Sequence, residues 1–406
     1  MIATILFFTI IFLFNKKSVT GFLALMIIAS IFSGYLLGVR IDSGYVFETI
    51  LSDIILFLII IGFKNYRISR ITNNHETVKY IYLYKYIVVF SSIALIVNLI
   101  LFGSSFIEFL RLGQNINIFK NQGIAIDYVF SGNLSFLTVI SLIFSPFSYI
   151  ILGYHFYFLY NKEKKNAIIS VILSSGIFLP NLIYLSRAGT VTFILMYFTF
   201  WQYTKHSFST QKRKQAYKSI AIISISIFLI LIAISQNRFS SDIIIRNSSM
   251  IKNPVLYSIM DYFAQWFQNG LVLLSRYNPS LNMHGASFAY VVNKFKEIMG
   301  IQIFDIKVLR EIAFGDLATS FNGLPALLVY DLGYIGALIF GVFYFLVVKF
   351  FSPQNNVITL RKLLFFSILI PMPLMFFQGN QFLSSNFSLS VIYMFLLAFI
   401  VKYLIK

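Results

Sequence analysis

The sequence predicts an all-α integral membrane protein that crosses the bilayer many times, and three observations lead to this. Hydrophobic residues make up 58% of the 406 residues and charged residues only 11%, which is too little polar surface for a water-soluble domain of this size. Apolar runs of about 15 to 25 residues recur along the whole chain, the length that crosses a hydrocarbon core of about 30 Å. These runs do not alternate in polarity as the strands of a membrane barrel do, so helices are expected.

About eleven apolar segments have the composition of membrane spans. They are residues Met1–Phe14, Val19–Val39, Tyr45–Phe63, Tyr86–Gly103, Leu134–Tyr160, Ala167–Tyr184, Thr190–Tyr203, Ser219–Ser235, Leu324–Val348, Leu363–Phe377 and Phe387–Leu404. The chain is thereby predicted to have three parts. Residues 1–235 hold about eight spans, residues 236–322 form a long polar loop, and residues 323–406 hold the last three.

The positive charge predicts the orientation, because Lys and Arg accumulate in short cytoplasmic loops. If Lys16 and Lys17 are cytoplasmic, 20 of the 32 basic residues fall in cytoplasmic segments. The N-terminus and the loop at 236–322 are then extracytoplasmic and the C-terminus is cytoplasmic. A formal net charge of +18 would suggest nucleic acid in a soluble protein. Here the charge lies mainly in short loops, so the lipid bilayer is the expected partner and nucleic acid is not.

The loop at 236–322 is the one long segment that a bilayer could not hold, so chemistry is expected there first. Asn253-Pro254 is a cap and first-turn pair, and apolar residues then repeat at helical spacing until Gly270, which predicts an amphipathic helix on the membrane or against the spans. Residues 275–279 are a turn by composition. A second amphipathic helix is expected from Ser287 to Met299, with Gly300 as its stop.

No cofactor is expected. The sequence contains no phosphate-binding glycine loop, no zinc-type His-Glu-x-x-His motif and no Gly-x-Ser-x-Gly elbow, and the outer loops offer no close acidic pair for a divalent cation. The chain also has no cysteine, so disulfides and thiolate metal sites are excluded.

Arg187, Arg276 and His284 are the first candidate site residues. Arg187 lies in the short turn Ser186-Arg187-Ala188-Gly189 between two apolar spans. A guanidinium at that depth needs a partner, which a phosphate or pyrophosphate supplies through bidentate hydrogen bonds; the alternative is an interfacial Arg that reaches lipid phosphates. Arg276 and His284 flank a Pro-containing turn. Arg276 is a candidate anion ligand and His284 a candidate proton acceptor; the alternative is that both are ordinary surface residues.

Four acidic residues are further candidates. Asp316 precedes the Asn322-Gly323 turn, and Asp331 lies within an apolar span, where an ionisable residue is a functional hypothesis by default. Asp331 is expected either to pair with Arg187 or Arg276 and orient it, which is slightly favoured, or to cap a broken helix near Gly333 and Gly336. Glu48 and Asp53 are expected to face the interior, as a structural pair or as a proton path.

The chain resembles the O-antigen polymerase family, the integral-membrane oligosaccharide repeat-unit polymerases called Wzy. The resemblance rests on the many spans, the long outer loop in the last third, and the turn at 186–189. It extends to the passage Gly315-Asp316-Leu317-Ala318-Thr319-Ser320-Phe321, which leads to Tyr330-Asp331-Leu332-Gly333-Tyr334-Ile335-Gly336.

The resemblance implies a GT-C-like membrane glycosyltransferase in the bacterial inner membrane. It implies transfer of a growing chain from undecaprenyl pyrophosphate onto a new lipid-linked repeat unit, without metal or nucleotide sugar. It also allows a chain-length regulator protein as a partner. By the family's pattern Arg187, Arg276 and Arg246 would bind pyrophosphate, and His284, Asp316 and Asp331, in that order, are candidates for the base that accepts the acceptor hydroxyl's proton.

Other functions stay open at this stage. A lipid-linked oligosaccharide flippase or another transporter would also be basic and many-spanned, although it should show repeat symmetry. An O-antigen ligase would share the loop and its histidine. A structural scaffold would leave Arg187 and Asp331 without a role.

Overall fold

The computed structural model describes residues 1–39, 44–112, 135–184, 186, 188–210, 247–289, 291–293, 306–318 and 320–403. These residues are mostly helical, with one two-stranded sheet among them. In chain order the helices and strands are α1 (Ile2–Asn15), α2 (Val19–Leu36), α3 (Val46–Ile61), β1 (Arg70–Thr72), α4 (His75–Leu112), α5 (Ser135–Phe144), α6 (Phe147–Tyr160), α7 (Lys164–Leu173), α8 (Leu179–Ile183), α9 (Ala188–Thr204), α10 (Pro254–Arg276), α11 (Ile306–Phe314), α12 (Leu324–Phe350), β2 (Val357–Thr359), α13 (Leu360–Leu369), α14 (Pro371–Leu374) and α15 (Ser385–Tyr403).

Several of the described helices are long and apolar enough to cross a membrane. Five pass on length and composition, namely α2, α3 with the turn that extends it to Asn65, α4, α12 and α15. The pair α5 and α6 makes a sixth if its 40° bend lies within one span. Pro146 stands at that bend, and proline cannot donate the helical hydrogen bond. The predicted class, a helical protein with several apolar helices of spanning length, is confirmed.

Two further predicted spans are not single helices. The segment Ala167–Tyr184 is divided into α7, a 3₁₀ turn over Ser174–Ile177 and α8, and Pro180 lies in the first turn of α8. The segment Leu363–Phe377 is divided between α13 and α14; Pro371 and Pro373 interrupt its helical hydrogen bonding. The predicted span Ser219–Ser235 lies outside the described residues.

The described chain divides into two compact units. Unit 1 comprises Met1–Tyr66, Ser241–Ser352 and Met372–Ser388, and unit 2 comprises Arg67–Ser240, Pro353–Pro371 and Leu389–Lys406. Unit 1 holds all the candidate site residues that the structure describes.

Close helix contacts in unit 1 depend on small residues, as is common between membrane helices. A Cβ built on Gly341 of α12 would lie 3.2 Å from Leu58 Cβ of α3, and one on Gly62 would lie 3.0 Å from Val348 Cβ. The hydroxyl of Tyr66 donates to the Val348 carbonyl at 2.9 Å. Together these contacts hold α12 against α3.

Unit 2 packs around α6 in the same way. A Cβ on Gly153 would lie 2.9 Å from Leu364 Cδ2 of α13, and Tyr154 donates its hydroxyl to the Tyr80 carbonyl of α4 at 2.7 Å. Strands β1 and β2 pair in parallel, with Ile71 opposite Ile358. No local pattern in the sequence predicted this pairing, because it joins segments that are far apart along the chain.

Helix α10 is the predicted first helix of the loop, and it begins as expected. The Asn253 side chain accepts a hydrogen bond from Leu256 N at 3.0 Å, and Pro254 occupies the first turn. The helix packs against the apolar helix α2, where Ser30 Oγ donates to the Phe263 carbonyl at 2.6 Å. This contact places α10 against a helix of spanning length.

The predicted end of α10 at Gly270 is wrong, since the helix continues to Arg276. Gly270 is required for a close approach instead: a Cβ there would lie 2.8 Å from the Asn322 carbonyl oxygen. The predicted second helix also differs. Residues 284–289 form turns, residues 291–293 are helical, and residues 294–300 lie outside the described part.

Candidate functional site

An exposed ion pair stands at the C-terminal end of α10. Arg276 Nη1 lies 2.9 Å from Asp316 Oδ1, and the two side chains are 55% and 73% exposed. Arg276 is the last residue of α10, and Asp316 lies in the 3₁₀ turn Gly315–Leu317 that follows α11. An exposed pair of this kind contributes about 0–1 kcal/mol to stability. Another anion can therefore readily replace the Asp316 carboxylate on the Arg276 guanidinium.

A cluster of three tyrosines adjoins this pair. The Tyr277 ring meets the rings of Tyr330 and Tyr334 edge to face, with centroids 5.1 and 4.9 Å apart. Tyr330 donates its hydroxyl to the Leu273 carbonyl at 3.0 Å, and Tyr334 donates to the Leu274 carbonyl at 3.4 Å. The last carbonyls of a helix have no partner within the helix, so α12 supplies donors for the end of α10 and fixes Arg276 beside the rings.

Helix α12 is broken at Gly333, in the region where a broken helix was the less favoured of the two alternatives for Asp331. Gly333 has φ 74° and ψ 173°, a conformation that only glycine adopts readily. The break frees carbonyls of the preceding turn. Met283 N donates to the Tyr330 carbonyl and Gly285 N to the Asp331 carbonyl, both at 2.7 Å. The loop thus completes the hydrogen bonding of the broken helix.

Asp331 is buried at this break and is 1% exposed. Its Oδ1 accepts from Ser287 N and its Oδ2 from Asn380 Nδ2, each at 3.2 Å. The partner of Arg276 is Asp316, so the slightly favoured pairing of Asp331 with Arg276 is not the one observed. Both donors lie outside α12, so neither contact caps the broken helix, and a pairing with Arg187 lies outside the described residues.

His284 lies at the surface of the turn that covers the break. It adopts a left-handed φ of 49°, followed by Gly285 at 76°, and its backbone N–H donates to Asn282 Oδ1 at 2.7 Å. Asn282 Nδ2 in turn donates to the Tyr277 hydroxyl at 3.4 Å. These bonds link the exposed His284 to the residue that follows Arg276.

Arg310 of α11 contributes a second, less exposed cation. Its Nη2 donates to the Ala318 carbonyl at 3.1 Å, and its guanidinium lies 5.5 Å from the centroid of the Phe314 ring. Burial lowers the pKa of Arg310, and the charge of Asp331 opposes that shift. Arg310 therefore lies close enough to Asp331 for their charges to interact.

The structure brings Arg276, Asp316, Asp331 and His284 together in unit 1. Arg187 and Arg246 lie outside the described residues. Arg310, Asn380, Tyr277 and Asn282 were not among the predicted site residues. The only signal for Asn380 is that Gln378-Gly379-Asn380 is a polar interruption between two apolar segments.

Glu48 of α3 also borders this cluster. Phe47 meets the Tyr334 ring at 5.7 Å, and the Glu48 carboxylate is close enough to Tyr334 for their charges to interact. One Glu48 oxygen is buried without a hydrogen-bond partner among the described residues. Glu48 therefore faces the interior of unit 1, as the sequence predicted.

The chain matches no protein-family model, no curated protein and no solved structure. What the site can do follows from its own chemistry. It has an exchangeable guanidinium and an exposed carboxylate beside a cluster of aromatic rings, and an exposed histidine on the turn that covers the break.

Proposed function

We propose that the protein is a polysaccharide polymerase of the O-antigen type. It transfers the growing chain from undecaprenyl pyrophosphate onto a hydroxyl of a new lipid-linked repeat unit. The observation that carries the proposal is the exposed Arg276–Asp316 pair at 2.9 Å, fixed by the tyrosines of a broken apolar helix. It supplies an anion-binding cation and a carboxylate within one site.

The reaction breaks the bond between the sugar C1 and the pyrophosphate oxygen and forms a bond between C1 and the acceptor oxygen. Negative charge develops on the leaving pyrophosphate, and a fixed guanidinium stabilises it. Arg276 meets this need because a pyrophosphate offers it bidentate hydrogen bonds in place of the single Asp316 contact. Arg187 and Arg246, which lie outside the described residues, remain proposed pyrophosphate ligands.

The proton of the acceptor hydroxyl must pass to a base. His284 and Asp316 are both exposed, whereas both oxygens of Asp331 accept N–H groups away from solvent. The geometry therefore favours His284 or Asp316 as the base over Asp331. Loss of either group should lower the polymerisation rate without abolishing donor binding.

The proposed setting is the inner membrane of a Gram-negative bacterium, with the N-terminus and residues 236–322 in the periplasm and the C-terminus in the cytoplasm. About eleven spans are proposed, with the loop at 236–322 as a GT-C-like helical cap. The partners are undecaprenyl-pyrophosphate-linked repeat units and a chain-length regulator.

The test is complementation of a strain deleted for this gene, with the surface polysaccharide resolved as a ladder on a gel. Arg276→Ala should reduce polymer by about two to three orders of magnitude, the usual effect of removing one such donor. Lys252→Ala is the matched control, because it removes an exposed charge from the same loop and should restore the full ladder. All variants are compared at equal membrane levels.

The deletion strain should carry lipid with a single repeat unit. If it lacks even that unit, the protein acts before polymerisation or at ligation. If Arg276→Ala restores a full ladder, Arg276 does not bind the pyrophosphate.

A transporter is the second candidate, and one observation favours it. Transporters often use discontinuous helices with polar groups at the break, as in α12 at Gly333 and Asp331. A lipid-linked oligosaccharide flippase would leave no capped single unit in the deletion strain, so the same gel separates the two functions.

A further inference from the structure

Asp331 and Asn380 form a buried polar pair behind the exposed groups. We infer that this pair is a positioning device: it fixes the turn Asn282–Ser287, which carries His284, on the broken helix α12. It thereby holds that turn against Tyr277, the residue that follows Arg276. The catalytic consequence of this inference rests on the proposed function, whereas its structural part does not.

The turn belongs to no helix or strand, and hydrogen bonds to α12 anchor it in addition to those within the turn. Three N–H groups of the turn end on Tyr330 or Asp331. Met283 and Gly285 donate to the two freed carbonyls at 2.7 Å, and Ser287 donates to the Asp331 side chain at 3.2 Å. Loss of Asp331 Oδ1 would leave the buried N–H of Ser287 without an acceptor. An unsatisfied buried donor costs free energy, which favours separation of the turn from α12.

The side-chain amide of Asn380 can donate to Asp331 in only one of its two orientations. Its Oδ1 accepts from Phe382 N at 3.1 Å, so its Nδ2 must face Asp331 Oδ2. Asp331 therefore receives a donor on each oxygen, and a carboxylate is the side chain of this size that accepts at both positions. An amide at position 331 has one acceptor and one donor group, and either orientation places two donors against each other.

Exchange of the two side chains restores every bond. In the double variant Asp331→Asn/Asn380→Asp, the amide introduced at position 331 accepts from Ser287 N and donates to the carboxylate introduced at position 380. The other oxygen of that carboxylate accepts from Phe382 N. The negative charge moves from position 331 to position 380, and these hydrogen bonds are kept. A proton acceptor at position 331 is lost, however, so the exchange separates a positioning role from a catalytic one.

The first measurement uses thiol labelling, because the native chain has no cysteine. Ser287 is 0% exposed, so the thiol of Ser287→Cys should be protected from a maleimide while the turn is seated. Ser280→Cys is the matched control, since Ser280 is exposed on the preceding 3₁₀ turn and should label at the same rate in every background. Labelling is measured at about pH 8, where free carboxyl groups are ionised.

In the Ser287→Cys background, Asp331→Asn or Asn380→Asp should raise the labelling rate about tenfold or more, as expected when a buried hydrogen bond to a charged group is lost. The double exchange should return the rate to within about threefold of the parent. Unchanged labelling in both single variants would overturn the inference, and so would a double exchange that labels as fast as the singles.

The second measurement is the polysaccharide ladder for the same variants without the added cysteine. Each single variant should shorten or abolish the ladder, and the double exchange should restore it with an unchanged pH profile. If the double exchange regains thiol protection but no ladder, the carboxylate is needed at position 331 itself. The catalytic consequence of the positioning role is then overturned, and its structural part stands. Failure of the proposed function is distinguishable, because thiol protection requires no activity.

Discussion

Replacement of Gly333 by alanine tests the central feature of the fold, the break in α12. Gly333 has φ 74° and ψ 173°, a region in which an L side chain costs about 1–3 kcal/mol. Space is not the obstacle. A Cβ there would lie 3.5 Å from the Tyr277 hydroxyl and 3.6 Å from Asn282 Nδ2, which are ordinary contacts, so the cost is conformational.

The helix could escape this strain only by straightening. The carbonyls of Tyr330 and Asp331 would then regain partners within α12, and the N–H groups of Met283 and Gly285 would lose their acceptors. Each unsatisfied buried N–H costs about 1–3 kcal/mol, so straightening offers no cheaper solution. Gly333→Ala is therefore expected to lower the free energy of unfolding by about 1–3 kcal/mol.

The assay is unfolding of the purified protein in detergent with a chemical denaturant, and Gly103→Ala is the control. Gly103 lies in the interior of α4, and no atom lies within 4 Å of a Cβ built there. Alanine should be neutral at that position or stabilise by up to about 1 kcal/mol. If Gly333→Ala unfolds at the same denaturant concentration as the wild type, the break does not depend on glycine and the reasoning fails.

Three further substitutions test single contacts. Asn253→Ala should cost about 1 kcal/mol by removing the cap of α10, and Asn253→Asp should keep most of it; equal loss in both would argue against the cap. Gly270→Ala should lower the free energy of unfolding by about 1–3 kcal/mol, because the added Cβ would lie 2.8 Å from the backbone carbonyl oxygen of Asn322. An unchanged unfolding midpoint would contradict this close approach. Asp316→Asn should change stability by less than about 1 kcal/mol, yet it should tighten binding of inorganic pyrophosphate by freeing Arg276. Isothermal titration, with Asp316→Asn/Arg276→Ala as the control, would contradict this if the affinity stayed unchanged.

The sequence predicted well the features that depend on local chemistry. The spans that became α2, α3 and α12 follow from apolar length, and the start of α10 follows from Asn253-Pro254. In each case the residues that determine the feature lie within a few positions of it.

Features that join distant segments could not be predicted in this way. Arg276 meets Asp316 across 40 residues, and Asp331 meets Asn380 across 49. Gly270 illustrates the same point, because a glycine in a helical pattern indicates a stop unless another backbone is known to pass close to it. Here the Asn322 carbonyl does so, and only the tertiary structure shows it.

Asp316 and Asp331 have the same type of side chain, but their surroundings give them different roles. Asp331 is buried and accepts N–H groups on both oxygens, so exchanging its partners would leave buried donors unsatisfied. Asp316 is exposed and contacts an exposed guanidinium, so water or an anion can replace either partner at small cost. A catalytic cycle that binds and releases a pyrophosphate needs one contact that exchanges and a framework that does not. The exposed pair meets the first requirement and the buried pair behind it meets the second, which is why the inferred positioning role and the proposed anion site belong to one mechanism.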